Sequence, residues 1–297
     1  MGNIGEPKDG DIAAEIKMVR ARVSGAILVV EGDSDLTVFD RFTCSDASEI
    51  VVAHGKDNVL SAMMRLQMQG DDKGVVAVVD SDYWKMAQVL PVPYNVILTP
   101  YHDMEVSMLN SDALPRFLGL FGSSGKIARF LSKTRFSSIR EALLDRALPL
   151  GRLRWLSFSK QLNLTFKSLA SNIDSSISGS DLALNMRRVL ISVIRDTPGC
   201  HMPPAELESA ISDEGMLYPR EQVCSGHDMM HILAKGLRKA LGNADSRIGN
   251  KDHVEKIMRA AYGVDDFRGS SLCFSLCVWE NSNQPYRLLK DICRSFG

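Results

Sequence analysis

The feature that most constrains the fold is an alternation of short apolar runs and amphipathic stretches within residues 26–98. The runs are Ala26–Val30, Ile50–Ala53, Gly74–Val79 and Asn95–Leu98. The stretches 34–42 and 56–69 between them have the spacing of helices. Strands that are apolar on both faces and alternate with helices are typical of a parallel sheet covered on both sides. The sequence therefore predicts an α/β domain.

The rest of the chain has a different pattern. Residues 1–10 are polar and predict a loose arm, followed by a helix over about residues 11–24. From residue 113 onward the apolar spacing is helical, with loops expected at Ser171–Ser180 and Thr197–Pro204. The helices expected there are Ala113–Leu120, Lys126–Leu131, Ile139–Ala147, Asp181–Ile194, His227–Leu241, His253–Ala261 and Tyr286–Phe296. We therefore expect an N-terminal arm and helix (1–25), an α/β domain (26–112) and a mostly helical domain (113–297).

The composition excludes some classes of protein. The 297 residues include 35 basic and 36 acidic side chains, so a surface that binds nucleic acid would have to be local. No apolar run approaches the ~20 residues of a membrane span, and the N-terminus has no apolar signal core. The six cysteines are scattered, which favours reduced thiols. We expect a soluble cytoplasmic protein without a membrane partner.

Acidic residues follow two of the predicted strands. The first run leads into Glu31-Gly32-Asp33-Ser34-Asp35, and the third ends in Asp80-Ser81-Asp82. Ligands of open parallel sheets lie beyond the carboxyl ends of the strands, and Mg²⁺ and Mn²⁺ prefer oxygen ligands. In an extended Asp-x-Asp both side chains point to the same side of the chain. The sequence therefore predicts a divalent metal site at this edge.

Two alternative interpretations apply to these strand ends. Asp33 or Ser34 could cap the helix that follows, but capping requires neither a Glu-Gly turn nor a second acidic pair, so we favour the metal site. Lys56 follows Gly55 at the start of a predicted helix, where its ammonium and the helix N-terminus could hold a phosphate. A solvated surface lysine explains the same residues equally well.

These motifs resemble a known family. Val30-Glu31-Gly32 after a strand, with Asp80-Ser81-Asp82 two runs later, resembles the TOPRIM fold of topoisomerases, primases and OLD-type nucleases. The closer resemblance is to the TOPRIM nuclease subunit of PARIS-type phage-defence systems, whose partner is an ABC-type ATPase. The segments that carry it are EGDSDLTVFDRF, AHGKDNV, VVDSDYW, TPYHDMEVSML and CSGHDMMHIL. The resemblance covers residues 26–112 and, less closely, 220–270.

The resemblance implies roles for individual residues. Glu31 would be the acid of the first motif, Asp80 and Asp82 the main metal ligands, and Asp35 a further ligand. Glu105, like Asp103 before it, is a weaker candidate ligand, because acids also occur at helix N-termini as favourable charges. The catalytic set would be Glu31, Asp35, Asp80, Asp82 and Lys56, with Mg²⁺ or Mn²⁺ as the cofactor.

The function that the resemblance implies is a metal-dependent endonuclease. It would be the toxic effector of an anti-phage system and cleave RNA, such as tRNA, or DNA when an ABC-type ATPase partner releases it. The tyrosine domain of topoisomerases and the zinc module of primases are not visible in the sequence. Another phosphoryl-transfer enzyme on the same acids and a non-catalytic module that docks to a partner are the alternatives. The intact Glu31, Asp80 and Asp82 argue against the latter.

A basic stretch with interleaved aromatic residues lies in the helical part of the chain. For any single residue a solvated helix face is the simpler explanation, but a nuclease needs cations to offset its own carboxylates. We therefore predict nucleic-acid contact over the region as a whole. The predicted contacts are Lys126, Arg129, Lys133, Arg135, Arg152 and Arg154.

Long apolar faces on the later helices predict an interface. They are more extensive in sequence than a small bundle needs, so we expect part of them to contact a partner or to form a homodimer when the chain is free. The residues concerned are Leu190, Val193, Ile194, Met229, Met230, Leu233 and Leu237.

Two other motifs are weaker. The glycines before Lys126 fail the P-loop pattern because Leu120 and Ile127 stand where Gly and Ser or Thr are required, so any nucleotide switch belongs to a partner. Cys224-x2-His227-x3-His231 has nearly the spacing of a zinc site, with Cys200 or His201 as a guessed fourth ligand. Ordinary core and surface roles are favoured for them. Cys273 and Cys277 are expected to be small core residues on a helix.

Overall fold

The computed structural model describes residues 9–89, 92–200, 202–213, 217–245 and 247–294, so most of the expected N-terminal arm lies outside it. The chain forms two compact units. The sheet unit comprises the described parts of Met1–Ser81, Val89–Pro100 and Gly263–Gly297, and the helical unit comprises Asp82–Gln88 and Tyr101–Tyr262. The expected boundary at residue 112 does not coincide with this division, because the C-terminal segment packs with the sheet.

The sheet unit contains a four-stranded parallel sheet in the order β2-β1-β3-β4. The strands are β1 (Ala26–Val30), β2 (Ser48–Val52), β3 (Val75–Val79) and β4 (Val96–Leu98). Every residue of β1 and β3 is buried, as expected for central strands covered on both faces. The helices α1 (Asp9–Arg20), α2 (Asp33–Phe39) and α3 (Lys56–Gln69) belong to the same unit. The predicted α/β class is confirmed.

The C-terminal segment completes the sheet unit. It contains α15 (Val264–Arg268), α16 (Ser271–Ser282) and a 3-10 turn (Asp291–Cys293). The helix expected over 286–296 is wrong within the described residues, because this stretch pairs with the loop after α2. Cys44 N donates to Leu288 O at 2.8 Å, and Lys290 N donates to Phe42 O at 2.9 Å. The ring of Phe267 stacks on Phe42 at 4.2 Å.

The helical unit contains eleven named helices in the described residues. They are α4 (Trp84–Ala87), α5 (Met104–Leu109), α6 (Ala113–Phe121), α7 (Ser124–Thr134), α8 (Ile139–Ser159), α9 (Lys167–Ser176), α10 (Met186–Asp196), α11 (Pro204–Asp213), α12 (Arg220–Val223), α13 (Gly226–Arg238) and α14 (Lys251–Ala261). Helix α8 continues through Pro149 well beyond the expected end at Ala147. Its apolar period continues too, since Leu150, Leu153 and Leu156 are buried.

Two expectations for this unit are corrected. The stretch expected as a loop at Ser171–Ser180 is helical as far as Ser176, because Leu169 and Ile173, one turn apart, are buried. The apolar faces expected as an interface belong to the core: Leu190, Val193, Met229, Met230, Leu233 and Leu237 are all inaccessible to solvent within the chain, and Ile194 is half-buried. In the described part of the chain, no helix has the length and apolarity to cross a membrane.

Candidate functional site

Glu31 and Asp80 lie at the carboxyl ends of two adjacent parallel strands. Val30 of β1 is in register with Val78 of β3. The next residue of β1, Glu31, accepts a hydrogen bond through Oε1 from the backbone N–H of Asp80 at 2.7 Å. Both side chains are half-buried. The prediction that these acids share one sheet edge is therefore met by a direct contact.

Asp35 has a helix-capping contact. Gly32 is the N-cap of α2, and its backbone N–H donates to Asp35 Oδ2 at 3.0 Å. Neither Asp33 nor Ser34, the two residues considered as caps, occupies the N-cap position. One carboxylate oxygen of Asp35 is thus engaged in fixing the turn that follows Glu31.

Lys56 is the first residue of α3, after a turn that requires unusual backbone angles. His54 and Gly55 have φ of 55° and 130°, and a side chain at position 55 would be strained. Asn58 Nδ2 donates to Ala53 O at 2.9 Å across this turn. The resulting N-terminus of α3 presents backbone N–H groups beside Lys56, the arrangement that favours anions.

The donors at this edge suit a hard cation. Glu31, Asp35 and Asp80 offer carboxylate oxygens only, which is the ligand chemistry of Mg²⁺ and Mn²⁺. They do not form a group of three ligand atoms within 4.8 Å of one another. The edge therefore has the right chemistry, and a cation would have to draw the carboxylates closer together.

Asp82, the second acid of Asp-x-Asp, is the first residue of the helical unit. Its φ is 42°, a left-handed conformation that aspartate tolerates better than most residues. The argument that an extended backbone puts Asp80 and Asp82 on one side is therefore wrong. Asp82 N donates to His102 O at 2.6 Å, and its carboxylate, 47% exposed, lies 4.0 Å from His102 Nδ1.

His102 and Asp103 form a buried pair. His102 Nδ1 lies 3.2 Å from Asp103 Oδ2. Burial opposes ionisation of Asp103, but the hydrogen bond and charge of His102 outweigh it and lower the pKa of this carboxyl. His102 Nε2 is buried and has no hydrogen-bond partner among the described residues. From the sequence, Asp103 was only a weaker candidate metal ligand, and His102 was not a candidate.

Asp103 also joins α5 to α13. It is the N-cap of α5, where Oδ1 accepts from Val106 N at 2.8 Å, and Oδ2 accepts from Gly226 N at 2.7 Å and from Ser225 Oγ at 3.3 Å. A Cβ at position 226 would lie 2.4 Å from both Asp103 Oδ1 and Glu105 Cβ. Only glycine allows the N-terminus of α13 to approach this carboxylate so closely.

Glu105, His227 and Glu255 are the one group of three His, Cys, Asp or Glu ligands within 4.8 Å in the described part of the chain. Their contacts are those of an ion-pair network. His227 Nδ1 lies 2.7 Å from Glu255 Oε1, and this hydrogen bond raises the pKa of His227 to about 9. Arg259 contacts Glu105 at 2.8 Å and Lys251 contacts Glu255 at 2.9 Å. A metal ion would compete with three cations here, so the predicted ligand Glu105 has ion-pair partners instead.

A cleft of about 620 Å³ opens in the helical unit. Its polar walls include Asp82 and His102, and a further wall is formed by Arg154, which makes two hydrogen bonds to Asp228 at 2.8 and 3.0 Å. Aromatic rings and two exposed amides also line the cleft. These further lining residues are Tyr83, Phe158, Phe166, Gln161 and Asn163.

The predicted nucleic-acid contacts divide into two groups. Lys126 donates to Lys239 O and Gly242 O at 3.1 and 2.7 Å, Arg152 donates to Ser212 O at 3.3 Å, and Arg154 is bound by Asp228. Those three side chains have contacts within the unit. The other three, which are exposed, are Arg129, Lys133 and Arg135.

The remaining motifs have ordinary roles. Cys224 Sγ donates to Leu144 O at 3.4 Å, and burial raises the pKa of this thiol, which disfavours the thiolate that zinc requires. In the part of the chain that is described, no ligand group of three includes Cys224, and His201 lies outside that part. Lys126 lies within α7 rather than on a phosphate loop. Cys273 is buried in α16 as expected.

In comparisons with known proteins, no family model matches this chain and no curated protein matches it.

Proposed function

We propose that this chain is a divalent-metal-dependent nuclease of TOPRIM type. The observation that supports it best is the contact between Glu31 and the backbone of Asp80 at the carboxyl ends of adjacent parallel strands. Structural acids do not require this convergence, whereas ligands of parallel sheets are bound at this edge. Glu31 and Asp80 are the proposed ligands, with Asp35 as a further one.

A bound Mg²⁺ or Mn²⁺ would supply Lewis-acid activation of water and neutralise charge on a phosphodiester. The side chains have their own tasks. The hydrogen bond from Asp80 N to Glu31 Oε1 holds this carboxylate at the strand ends, where ligands of parallel sheets bind. Lys56 and the N-terminus of α3 would hold a phosphate oxygen. The exposed Arg129, Lys133 and Arg135 would contact the phosphate backbone of the substrate.

The cellular role is proposed from the resemblance alone. The chain would be the effector of an anti-phage system, restrained by an ABC-type ATPase. Its lack of a P-loop at Gly119–Ile127 is consistent with a nucleotide switch in a partner. Co-purification with the product of an adjacent ATPase gene tests this role, and failure of the two proteins to bind in a pull-down would contradict it.

The test of the nuclease proposal is cleavage of tRNA, single-stranded DNA and duplex DNA with Mg²⁺ or Mn²⁺. Glu31→Gln keeps an oxygen that can accept from Asp80 N and removes the charge, so it should preserve the fold and abolish cleavage. Asp80→Asn should do the same. Asp33→Asn is the matched control, because Asp33 is exposed in the first turn of α2 and should leave cleavage unchanged. Wild-type metal-dependent cleavage by Glu31→Gln would refute the site.

A further inference from the structure

The cleft of the helical unit presents aromatic surface to solvent. Phe158, near the end of α8, is 42% exposed although it packs against Trp155 at 5.9 Å and Tyr83 at 5.6 Å between ring centroids. Phe166 lies under the guanidinium of Arg154 at 4.4 Å. These stacked rings form rigid planar walls, which suit a flat ligand better than a flexible one.

The same cleft has hydrogen-bonding groups at its edge. His102 is only 7% exposed, and its Nε2 has no partner in the part of the chain that is described. Nδ1 lies against the carboxylate of Asp103, so Nε2 is the ring nitrogen without a protein partner there, an acceptor in the neutral ring and a donor in the charged one. Gln161 and Asn163 have left-handed backbones, with φ of 53° and 52°, and their side chains are exposed. Asn163 Nδ2 donates to Gln161 O at 3.2 Å, which fixes this lip of the cleft.

The charges of the cleft disfavour a phosphate as the main ligand. Among its described lining residues Arg154 is the one lysine or arginine, and two of its three guanidinium nitrogens, Nε and Nη2, donate to Asp228, whose charge offsets that of Arg154. Asp82 adds a carboxylate that would repel a phosphate. A neutral ring with donors and acceptors on its edge meets no such penalty, and the volume of about 620 Å³ is within the range of small-ligand sites, about 300–1,000 Å³.

We propose that this cleft binds one unpaired nucleobase of the substrate, stacked on Phe158 and contacted at its edge by His102 and Asn163. The proposal rests on the nuclease function and names its substrate class: single-stranded nucleic acid or a loop. A base within a duplex is stacked and paired, and it would have to be extruded before it could enter the cleft.

The test is binding without cleavage. The full chain, in EDTA, is titrated against a fluorescent mixed-sequence oligonucleotide, the same strand with a central abasic site, and the blunt duplex, with anisotropy as the readout. Phe158→Ala should weaken single-strand binding about 10-fold, the loss expected for one base–aromatic stack. Phe158→Tyr should restore it. Asn163→Gly keeps the left-handed backbone accessible and should also weaken binding.

The control is Phe274→Ala, which removes an exposed ring from α16 and should leave binding unchanged. Three results together support the proposal. Phe158→Ala loses single-strand binding, and Phe158→Tyr retains it. Binding of the abasic strand is the same with and without the Phe158 ring. Equal binding by wild type and Phe158→Ala, or a duplex bound as tightly as the single strand, overturns it. Base binding without cleavage in Mg²⁺ would refute the nuclease function alone, and cleavage without any effect of Phe158 would refute the base site alone.

Discussion

Gly226→Ala should destabilise the helical unit because it separates the N-terminus of α13 from Asp103. The added Cβ would lie 2.4 Å from Asp103 Oδ1 and 2.8 Å from Val106 N, and both neighbours are buried. Real Cβ atoms do not approach this closely, so α13 must move away. That movement stretches the 2.7 Å hydrogen bond from Gly226 N to a buried carboxylate.

The magnitude follows from these two effects. Overpacking a well-packed site costs about 1–3 kcal/mol, and a hydrogen bond to a charged group contributes about 1.5–3 kcal/mol. The effects are not additive, because the shift that relieves the clash is the one that lengthens the bond. We expect the free energy of unfolding to fall by roughly 2–4 kcal/mol.

Urea titration monitored by circular dichroism measures this change. Gly119→Ala is the matched control: Gly119 is an exposed residue within α6, and a Cβ there would meet nothing within 4 Å. That variant should gain about 0.5–1 kcal/mol, because alanine favours a helix interior. A Gly226→Ala variant that unfolds at the wild-type urea concentration would show that α13 does not approach Asp103 so closely.

Three further predictions concern charges in the helical unit. The folded pKa of His227, about 9, is above its usual 6.5, so its stabilising contact with Glu255 is complete below pH 6.5 and lost as the pH rises through 9. The stability gap between wild type and His227→Gln should therefore be larger at about pH 6 than at about pH 10 in urea titrations, and a pH-independent gap would contradict this. Asp228→Asn leaves the guanidinium of Arg154 without its counter-charge and should cost roughly 2–4 kcal/mol by the same measurement, whereas an unchanged midpoint would show that this pair is dispensable. Arg135→Glu should weaken binding of the oligonucleotide and flatten its salt dependence, and an unchanged salt slope would place the phosphate contacts elsewhere.

Local sequence patterns predicted the bounds of those helices and strands whose ends are marked by characteristic residues. Helix α3 was predicted over residues 56–69 and has those bounds. Its limits are set by Gly55, with φ of 130°, and Gly70, with φ of 73°, conformations that glycine adopts most readily. Strand β1 was also predicted with its observed bounds, because a fully apolar run between polar segments is a clear signal for a buried strand.

Prediction failed where tertiary contacts outweigh local preference. The serines of α9 disfavour a helix, yet burial of Leu169 and Ile173 stabilises one. Residues after Tyr286 have helical spacing but pair with the loop after α2, as the hydrogen bond from Cys44 N to Leu288 O shows. Such contacts join residues far apart in sequence, and no short-range pattern contains them.

The candidate site also contains residues that local sequence patterns could place and residues that they could not. Glu31 and Asp80 could be placed together because the carboxyl ends of parallel strands lie at the same edge of a sheet. His102 could not be found in this way: what distinguishes it is a buried Nε2 without a partner in the described part of the chain and a place in the wall of a cleft formed by residues far apart in sequence. Its one sequence signal was its position directly before Asp103, the N-cap of α5.

The Asp-x-Asp motif shows why the chemistry of a motif and its geometry have to be argued separately. Asp80 follows the last residue of β3, and Ser81 is fixed by a hydrogen bond from its N–H to Thr99 Oγ1 at 2.8 Å. At Asp82 the backbone turns left-handed, so the alternation of side chains along a strand no longer applies. The two acids therefore have different environments: one contacts the strand end that carries Glu31, and the other lines a cleft with His102. Their substitutions should be read independently, since loss of Asp80 tests the proposed metal site, whereas loss of Asp82 changes a wall of the cleft.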